Sequence, residues 1–408
     1  MLATLIPLFD KDLKVFAYSL FSQKSDLLRN PGMQGFGRHD GAGSVNGLDL
    51  IQDMGIDTLA NDVDVFVPVG NIAVFSPDIE AQNFVPRKRI ILLFDHLILP
   101  EDKYIERLKQ LKSAGYRLAM RKLQVSEFEE FKPVLTLMDY IFIDCKKVDV
   151  TKAKIYFGQV HPKISIIVGN LTTMEKFDEL KEDPAYAAYE GEFYRIPITK
   201  GDAEVSPLKA NYLQLLQMVN DPDFELTKAA DVIGRDTALV LELLKMVNRM
   251  TVNNGITTIR HAAAMLGQKE LKRWINTAVT KELCSDKPNE ITRLSLLRAK
   301  FAEDLAPIFD LKLKSSELFL MGLFSVLDLI LNMPMAEALE KVNVSKEISQ
   351  ALVNHEGALA PVMDLISQYE NANWQEVSRQ MIVADRDVNE IYEAYIGAVR
   401  WYRDVFFA

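Results

Sequence analysis

Arg121 and Lys122 stand at the end of a short apolar segment, "GYRLAM" (residues 115–120), that is typical of a buried strand. In barrel and doubly wound enzymes, the carboxyl ends of such strands carry the catalytic groups. Two adjacent cations at that place repel a divalent metal ion and attract a phosphate or a carboxylate. The pair therefore predicts either anion binding or, as the alternative, two solvated residues at a strand end.

Residues that ligate metals through sulfur or imidazole are scarce and scattered. Cys145 and Cys284 are the only cysteines and lie far apart, which argues against a disulfide framework and a cysteine zinc site. In the second half, His261 and His355 have no partner histidine three or four residues away. The sequence therefore predicts no bound metal and no cofactor.

The composition is that of an ordinary globular protein with an acidic balance. Of 408 residues, 49% are apolar and 25% are charged, and the formal net charge is −10. Binding along a nucleic acid backbone needs a basic face, so nucleic acid is not an expected partner. The chain is longer than one compact core normally requires, which predicts two domains.

The longest apolar stretch, residues 315–335, is interrupted by Glu317 and Asp328 and is better explained by helix packing than by a membrane span. The N-terminus lacks a basic segment and a small-residue cleavage site, so it is not a predicted secretion signal. Together these features predict a cytoplasmic protein without membrane contact.

Short apolar runs separated by amphipathic segments fill the first half of the chain. The expected strands are "KVFAYSL", "DVFVPV", "RIILLFD", "YRLAM", "DYIFID" and "ISIIVG". Segments such as "EDKYIERLKQLKSAG" between them have helical spacing. Apolar strands that alternate with helices predict a parallel sheet covered on both faces, and a repeat of roughly 25 residues favours a closed (β/α) barrel over an open sheet.

From residue 207 onward the apolar spacing is helical, as in "TALVLELLKMVNRM", and no convincing strand follows. We therefore predict two domains, an α/β barrel in residues 1–206 and an all-α domain in residues 207–408. The amphipathic tail "YEAYIGAVRWYRDVFFA" is expected to pack on the helical domain. Docking of this tail against a second subunit or a partner is the alternative.

A glycine-rich stretch, "NPGMQGFGRHDGAGSVNG" (residues 30–47), superficially resembles a phosphate-binding loop. It lacks the Gly-Lys-Ser/Thr of a Walker loop and does not follow a clear strand with a helix behind it. His39 and Asp40 within it are interpreted as part of a polar loop. The stretch is predicted to be a flexible connection between a strand and a helix.

Motifs across nearly the whole chain resemble those of bacterial signalling proteins that join an EAL domain to an HDOD domain. In the second half, "VIGRDTALVLELLKMVN" followed by "ITTIRHAAAMLGQKELKRW" resembles the HDOD core. In the first half the resemblance depends on register, through "GYRLAMRKL", "YIFID" and "GNLTTMEKFD". It implies a TIM-type EAL barrel followed by a helical HDOD domain. The barrel region is short for the family, so one or two of its helices are expected to be missing or reduced.

The resemblance implies that the metal-binding positions of the EAL barrel have changed. Active EAL domains hydrolyse cyclic di-GMP with two metal ions. Ser19, Pro68 and Leu92 stand where the family has metal ligands. Arg121 and Lys122 stand where it has the paired aspartates that bridge both metals. Two-metal hydrolysis needs several carboxylates, so the resemblance predicts a catalytically inactive barrel.

Other positions of the family's site have changed as well. Gln23 stands where the family has an arginine that grips phosphate, and Thr172 where it has a late glutamate. Of the family's motif that begins at Glu190, only the glycine is kept. In the family's lysine-x-aspartate motif, the lysine is replaced and the aspartate remains as Asp144. Asp144 is interpreted as a strand-end cap or as the partner of Lys122.

The helical half gives a similar prediction. The histidine–aspartate dipeptide of metal-dependent relatives falls near "GLFSV", at Ser325 and Val326. HDOD domains resemble these phosphohydrolases in fold and lack their metal-binding residues. Metal chemistry is therefore not expected in this half either.

These observations favour a non-enzymatic signalling protein that binds an unidentified partner protein through its HDOD domain. The alternative hypothesis is a metal-free sensor in which Arg121 and Lys122 bind cyclic di-GMP or another anionic nucleotide at the barrel mouth. A homodimer is a further possibility, because EAL domains often pair.

Overall fold

The computed structural model describes residues 1–23, 45–81, 86–199, 207–234, 236–250 and 255–407. The chain forms two compact units, each described separately below. The first unit comprises Met1–Ile196 together with Leu365–Ala408, and the second comprises Pro197–Asp364. Residues 30–44 of the glycine-rich stretch, with His39 and Asp40, lie outside the described residues.

A closed barrel of eight strands forms the centre of the first unit, and the strands follow one another around it in chain order. They are β1 (Leu2–Phe9), β2 (Val15–Gln23), β3 (Asp64–Pro68), β4 (Ile90–Phe94), β5 (Arg117–Met120), β6 (Tyr140–Asp144), β7 (Ser165–Leu171) and β8 (Tyr186–Gly191). The predicted closed barrel is confirmed, and the six predicted strands coincide with β2 to β7.

β1 differs from the other strands in direction. It runs antiparallel to β2 and β8, whereas β2 to β8 pair in parallel. A tight turn leads directly from β1 into β2, and the carboxylate of Asp10 accepts the N–H groups of Asp12 and Lys14 in it. Because no helix follows β1, the outer face of this strand must be covered from elsewhere in the chain.

The helices that follow the strands of the first unit are unequal in length. They are α1 (Asn46–Met54), α2 (Ile56–Ala60), α3 (Asp78–Ala81), α4 (Asp102–Ser113), α5 (Lys132–Leu135), α6 (Val150–Val160) and α7 (Met174–Leu180). The four-residue helices α3 and α5 follow β3 and β5. The barrel therefore has its full number of strands, and some of its helices are short.

The second unit is helical. Its helices are α8 (Pro207–Asn220), α9 (Leu226–Ile233), α10 (Thr237–Met250), α11 (Ile259–Leu283), α12 (Asn289–Leu305), α13 (Ser315–Phe324), α14 (Leu327–Leu331), α15 (Met335–Glu340) and α16 (Lys346–Ser349), followed by a π-helical turn, Gln350–Asn354. α11 is broken at Gly267, whose φ is +72°. Within the described part of the chain, we find no helix that combines the length and apolarity required to cross a membrane.

The C-terminal segment, residues 365–408, belongs to the first unit, so its predicted packing on the helical domain is wrong. It contains the end of α17 (Ala360–Glu370), then α18 (Trp374–Ala384) and α19 (Val388–Phe407). The hydroxyl of Tyr369 accepts the N–H of Ala3 at 3.3 Å, and the amino group of Met1 donates to the side chain of Asn389 at 3.0 Å. The segment supplies the cover that β1 lacks. The two units therefore do not correspond to two contiguous halves divided at residues 206 and 207.

Candidate functional site

The inward-facing side chains determine what the mouth of the barrel can bind. A buried cluster fills the interior: Leu8, Ala17, Phe66, Ile91, Leu93, Ala119, Phe142, Ile167 and Ala188. Alternate residues of a strand face the same side, so the next inward positions of the parallel strands lie at their carboxyl ends, where such barrels carry their sites. This mouth layer includes Ser19, Pro68, Arg121, Asp144, Gly169 and Glu190.

The guanidinium group of Arg121 lies against two aromatic rings of the mouth. Its Cζ atom is 5.2 Å from the ring centre of Phe21 and 5.9 Å from that of Phe142. Its Nη1 atom is shielded from solvent and has no hydrogen-bond partner among the described residues. Aromatic faces stabilise a partly desolvated guanidinium. A fixed positive charge therefore occupies the mouth layer.

Glu190 supplies a carboxyl group in the same layer. Its Oε2 atom accepts a long hydrogen bond, 3.5 Å, from Ser19 Oγ. Burial raises the pKa of Glu190 and the nearby carboxylate of Asp144 adds to the increase, while Arg121 and Ser19 act in the opposite direction. Ser19 and Glu190 thus link β2 with β8 at the mouth, and the charge of Arg121, just after β5, lies close enough to influence Glu190.

Replacing Glu190 by glutamine is expected to raise the free energy of unfolding by on the order of 1 kcal/mol at alkaline pH and by less at acid pH. The folded state holds the proton of Glu190 more tightly than the unfolded chain, whose group titrates near 4.5. Ionisation of Glu190 therefore opposes folding, and this cost vanishes below the unfolded pKa and is fully present above the folded pKa. Urea unfolding at about pH 8 and about pH 4 measures the difference. A gain that does not depend on pH, or an equal gain for the exposed control Glu182→Gln, would contradict this account.

Lys122 does not join Arg121 in a common site. Its ammonium group lies 3.6 Å from Asp95 Oδ2, and 55% of its side chain is exposed. An exposed ion pair of this kind contributes little to stability. Among the described residues, Arg121 and Lys122 share no contact partner. The geometry therefore leaves Arg121 as the member of the predicted pair that faces the mouth.

In β4, the residue that faces the barrel interior is Leu93 and not Leu92, the residue to which the sequence comparison assigned a metal-ligand position. Leu93 belongs to the interior cluster, whereas Leu92 is buried without belonging to it. Both faces of this strand are apolar, so its sequence has no alternation of polar and apolar residues that would fix the register. The family resemblance therefore placed the metal-ligand position one residue too early. Pro68 pairs with Leu93 in the ladder. The inward position of β4 is still a leucine, which offers no metal ligand.

Two further positions of the family's site lie at strand ends. Gln23 is the last residue of β2, half-buried, and pairs with Leu2 of β1. Thr172 follows β7 and is exposed to solvent. Neither side chain has a described contact with Arg121 or Glu190, so the structure does not bring these positions to the polar residues of the mouth layer.

Asp144 has the geometry of a strand-end cap. Its Oδ1 atom accepts the N–H of Lys146 at 3.0 Å, and its Oδ2 atom lies 3.8 Å from the ammonium group of Lys147. Lys122, its alternative predicted partner, pairs with Asp95 instead. Asp144 therefore organises the turn after β6 and adds negative charge beside Glu190.

A cavity of about 260 Å³ opens at the carboxyl ends of β2 and β3. Arg121 does not line it, but its guanidinium lies against Phe21, which does. We call this space the mouth cavity. Its lining consists of Phe21, Ser22, Val45, Asn46, Pro68, Gly70, Ala73 and Trp374. Most of the lining residues are apolar or aromatic by type, but polar atoms make up more than half of the lining surface. Ser22 and Asn46 are the polar side chains among them.

Sequence reasoning missed two residues that line this cavity, Phe21 and Trp374. Phe21 has the same strand parity as Ser19, so alternation along β2 was a usable signal for its inward direction. Trp374 lies in the C-terminal segment, and no local pattern in that segment connects it with β2. Only the return of the chain to the first unit brings this ring to the barrel.

Comparison with known protein families identifies the second half of the chain. The family model described as the HDOD domain matches residues 205–373. The chain contains an HDOD domain. The predicted combination of a closed barrel with a helical HDOD domain is thereby confirmed.

Two relatives with similar sequences extend beyond the HDOD domain. The cyclic di-GMP phosphodiesterase CdgJ of Vibrio cholerae is 27% identical over 327 residues, which cover 79% of this chain and 75% of the relative. The uncharacterized protein YuxH of Bacillus subtilis is 26% identical over 406 residues, which cover 97% of this chain and 96% of the relative. The similarity to YuxH therefore includes both the barrel and the HDOD domain.

Solved structures align with about half of the chain. The PaMucR phosphodiesterase in complex with c-di-GMP aligns with 47% of this chain and 93% of its own, with a TM-score of 0.37 and 13% identity. A putative metal-dependent phosphohydrolase from Shewanella amazonensis aligns with 49% of this chain and 93% of its own, with a TM-score of 0.33 and 12% identity.

Within the HDOD domain, Ser325 and Val326 stand at the position compared with the histidine–aspartate pair. Ser325 Oγ donates to the carbonyl of Gly322 at 2.7 Å and accepts from Arg298 Nη1 at 3.2 Å. Val326 is buried. In the described part of the chain, no group of three or more His, Cys, Asp or Glu side chains is placed to hold a metal ion. Ser325 therefore caps the end of α13, and Val326 is a packing residue.

Proposed function

We propose that this protein is a non-catalytic signalling protein, related to cyclic di-GMP phosphodiesterases, that acts by binding another protein. The observation that carries the proposal is the guanidinium of Arg121 in the mouth layer, held between Phe21 and Phe142 and close to Glu190. Its charge occupies the layer in which a barrel hydrolase needs its cations.

The donor set of the mouth does not fit two divalent metal ions. Ser19, Pro68 and Leu93 are inward residues of β2, β3 and β4, and they supply a single hydroxyl group and no carboxylate. Asp95 follows two residues after Leu93, and its carboxylate pairs with Lys122. A divalent ion about 6 Å from a guanidinium is repelled by about 5 kcal/mol at an effective dielectric constant of about 20. Glu190 and Asp144 offset part of this repulsion, but two metals require several more carboxylates.

The relatives support a signalling role. CdgJ is named as a cyclic di-GMP phosphodiesterase, and the barrel followed by an HDOD domain fits a protein of cyclic di-GMP signalling. A barrel that keeps its fold without its metal ligands still presents loops and surfaces to other proteins. The HDOD domain is the proposed docking surface for the partner.

Purified full-length protein is expected to release no detectable linear product from cyclic di-GMP with either Mg²⁺ or Mn²⁺, because the mouth cannot hold the metals. Chromatography of the reaction, beside an active EAL phosphodiesterase as the positive control, makes the measurement. The double variant Arg121→Asp, Lys122→Asp restores the acidic pair and is also expected to be inactive, since the inward residues of β2, β3 and β4 are unchanged. Metal-dependent turnover by the natural sequence would refute the proposal.

Cross-linking in cells supplies the second readout of the same proposal. Lysine cross-links to a partner, located by mass spectrometry, are expected to concentrate on residues 207–364, for example on the exposed Lys228 and Lys269. Barrel lysines with exposed side chains, such as Lys152, are the internal control. Cross-links confined to the barrel would contradict docking through the HDOD domain.

A second candidate function is a metal-free sensor of an anionic nucleotide. The shielded Nη1 atom of Arg121 has no hydrogen-bond partner among the described residues, and its guanidinium lies beside Phe21, which lines the mouth cavity. The positive charge of a guanidinium behind an aromatic wall of the cavity favours an anionic aromatic ligand. Lys122, paired with Asp95, contributes less than the sequence predicted.

A further inference from the structure

The mouth cavity is completed by the C-terminal segment of the chain. Phe21, Pro68 and their neighbours come from the barrel, whereas Trp374 is the first residue of α18. A barrel made from residues 1–206 alone would lack this wall. The cavity is therefore a property of the whole first unit.

We propose that the mouth cavity binds the flat ring of a small anionic aromatic ligand of mononucleotide size, and that Trp374 sets this size limit. The inference rests on the second candidate function, the nucleotide sensor. It adds a chemical class of ligand and a residue that determines specificity.

The ring of Trp374 is held in place before any ligand arrives. Trp374 is 9% exposed, and its ring packs edge-on against Tyr369, with 5.2 Å between ring centres. Tyr369 is fully buried and accepts the N–H of Ala3. A preorganised aromatic wall binds a flat ring at little entropic cost, and stacking on aromatic side chains is the common way in which proteins hold single bases.

The volume of the cavity selects a single ring system. Pockets for drug-sized ligands usually enclose about 300–1,000 Å³. At about 260 Å³, the mouth cavity lies below this range and accommodates one purine-sized ring, with its substituents directed outward. A cyclic dinucleotide has two bases on a rigid ring of sugars and phosphates, which is more than a cavity of this volume encloses.

Two features give the cavity a preference for anions. The guanidinium of Arg121 lies 5.2 Å from the ring centre of Phe21. The nine-residue helix α1 begins at the cavity with Asn46, so the positive end of its dipole points there. Asp49 in the first turn of α1 and Glu190 beside Arg121 reduce this potential. A single negative group is therefore expected beside Phe21, where the guanidinium of Arg121 is nearest, and not at Asn46, where Asp49 offsets the helix dipole.

Calorimetric titration of the full-length protein with GMP tests the proposal. GMP is expected to bind with a dissociation constant below about 1 mM, more tightly than either the neutral guanosine or cyclic di-GMP. Trp374→Leu, which removes the flat ring, is expected to weaken GMP binding at least about tenfold, equivalent to about 1.4 kcal/mol. Trp374→Phe keeps an aromatic wall and should lose less. Trp274→Leu, in the HDOD domain, is the matched control and should leave the affinity unchanged.

Three results would overturn the inference: no binding of GMP by the folded natural protein, unchanged binding in both Trp374 variants, or tighter binding of cyclic di-GMP than of GMP. Circular dichroism of each variant separates loss of the site from loss of the fold. Linear product is measured in the same samples. Turnover of cyclic di-GMP would refute the non-catalytic proposal whatever GMP does, whereas absence of GMP binding without turnover would remove only the inference.

Discussion

Replacing Tyr369 by alanine is expected to lower the free energy of unfolding of the first unit by about 3–5 kcal/mol, the usual cost of removing a buried aromatic ring. Tyr369 is fully buried. Its ring contacts Trp374 with 5.2 Å and Tyr395 with 4.9 Å between ring centres. The variant leaves a cavity next to β1 and also removes the acceptor of the buried N–H of Ala3.

Hydrogen exchange followed by mass spectrometry measures this effect in each unit separately, which global unfolding of a two-unit protein does not do. Peptides from β1 should lose protection in Tyr369→Ala. The matched control is Ile382→Ala in α18, where 66% of the residue is exposed, and its effect should stay within about 0.5 kcal/mol. Unchanged protection of β1 in Tyr369→Ala would contradict the conclusion that the C-terminal segment stabilises this strand.

Gly322→Ala is expected to destabilise the HDOD domain by about 3 kcal/mol or more, at the upper end of the usual cost of overpacking. A Cβ atom at position 322 would lie 2.3 Å from the carbonyl oxygen of Arg298 and 2.6 Å from the backbone nitrogen of Ala299. These are backbone atoms of α12, which cannot rotate away as the end of a flexible side chain could. The helices α12 and α13 would therefore have to separate.

Thermal unfolding monitored by circular dichroism, with hydrogen exchange in peptides of α12 and α13, tests this expectation. Gly158→Ala is the control, because Gly158 is an exposed residue of α6 with no atom within 4 Å of an added Cβ. Alanine at position 158 should raise stability by about 0.5–1 kcal/mol through helix propensity. A Gly322→Ala protein as stable as the natural one would contradict the close approach of the two helices.

The Gly322 prediction bears on function as well. Gly322 and Ser325 belong to "GLFSV", the stretch compared with the metal-binding dipeptide of related phosphohydrolases. Gly322 permits a close helix contact, and Ser325 donates to the carbonyl of Gly322. The stretch therefore has a packing role, which agrees with the proposal that the HDOD domain acts as a binding surface.

Local patterns in the sequence determined much of the fold. The apolar runs of β2 to β7 were visible because parallel strands buried on both faces are nearly continuous in hydrophobicity. β1 was not assigned a strand, although seven of its eight residues are buried. In the closed barrel β1 lies between β2 and β8. Because β8 is distant in sequence, no local pattern specified this pairing.

The candidate site was determined only in part. The sequence predicts, through the family resemblance, that Arg121 and Lys122 replace an acidic pair, because residue type is enough to argue against binding two metals. Register is a different matter, since Leu92 and Leu93 are equally apolar and only the pleat of the folded strand decides which one faces inward.

The sequence by itself determined a (β/α) barrel and a helical HDOD domain, and it predicts a barrel mouth poor in metal ligands. The tertiary structure decided that Arg121 faces the mouth while Lys122 pairs with Asp95. It also decided that residues 365–408 cover β1 and bring Trp374 to the mouth cavity. The physical reason is that charge, hydrophobicity and helical period are local properties, whereas a wall built from opposite ends of a chain exists only after the chain has folded.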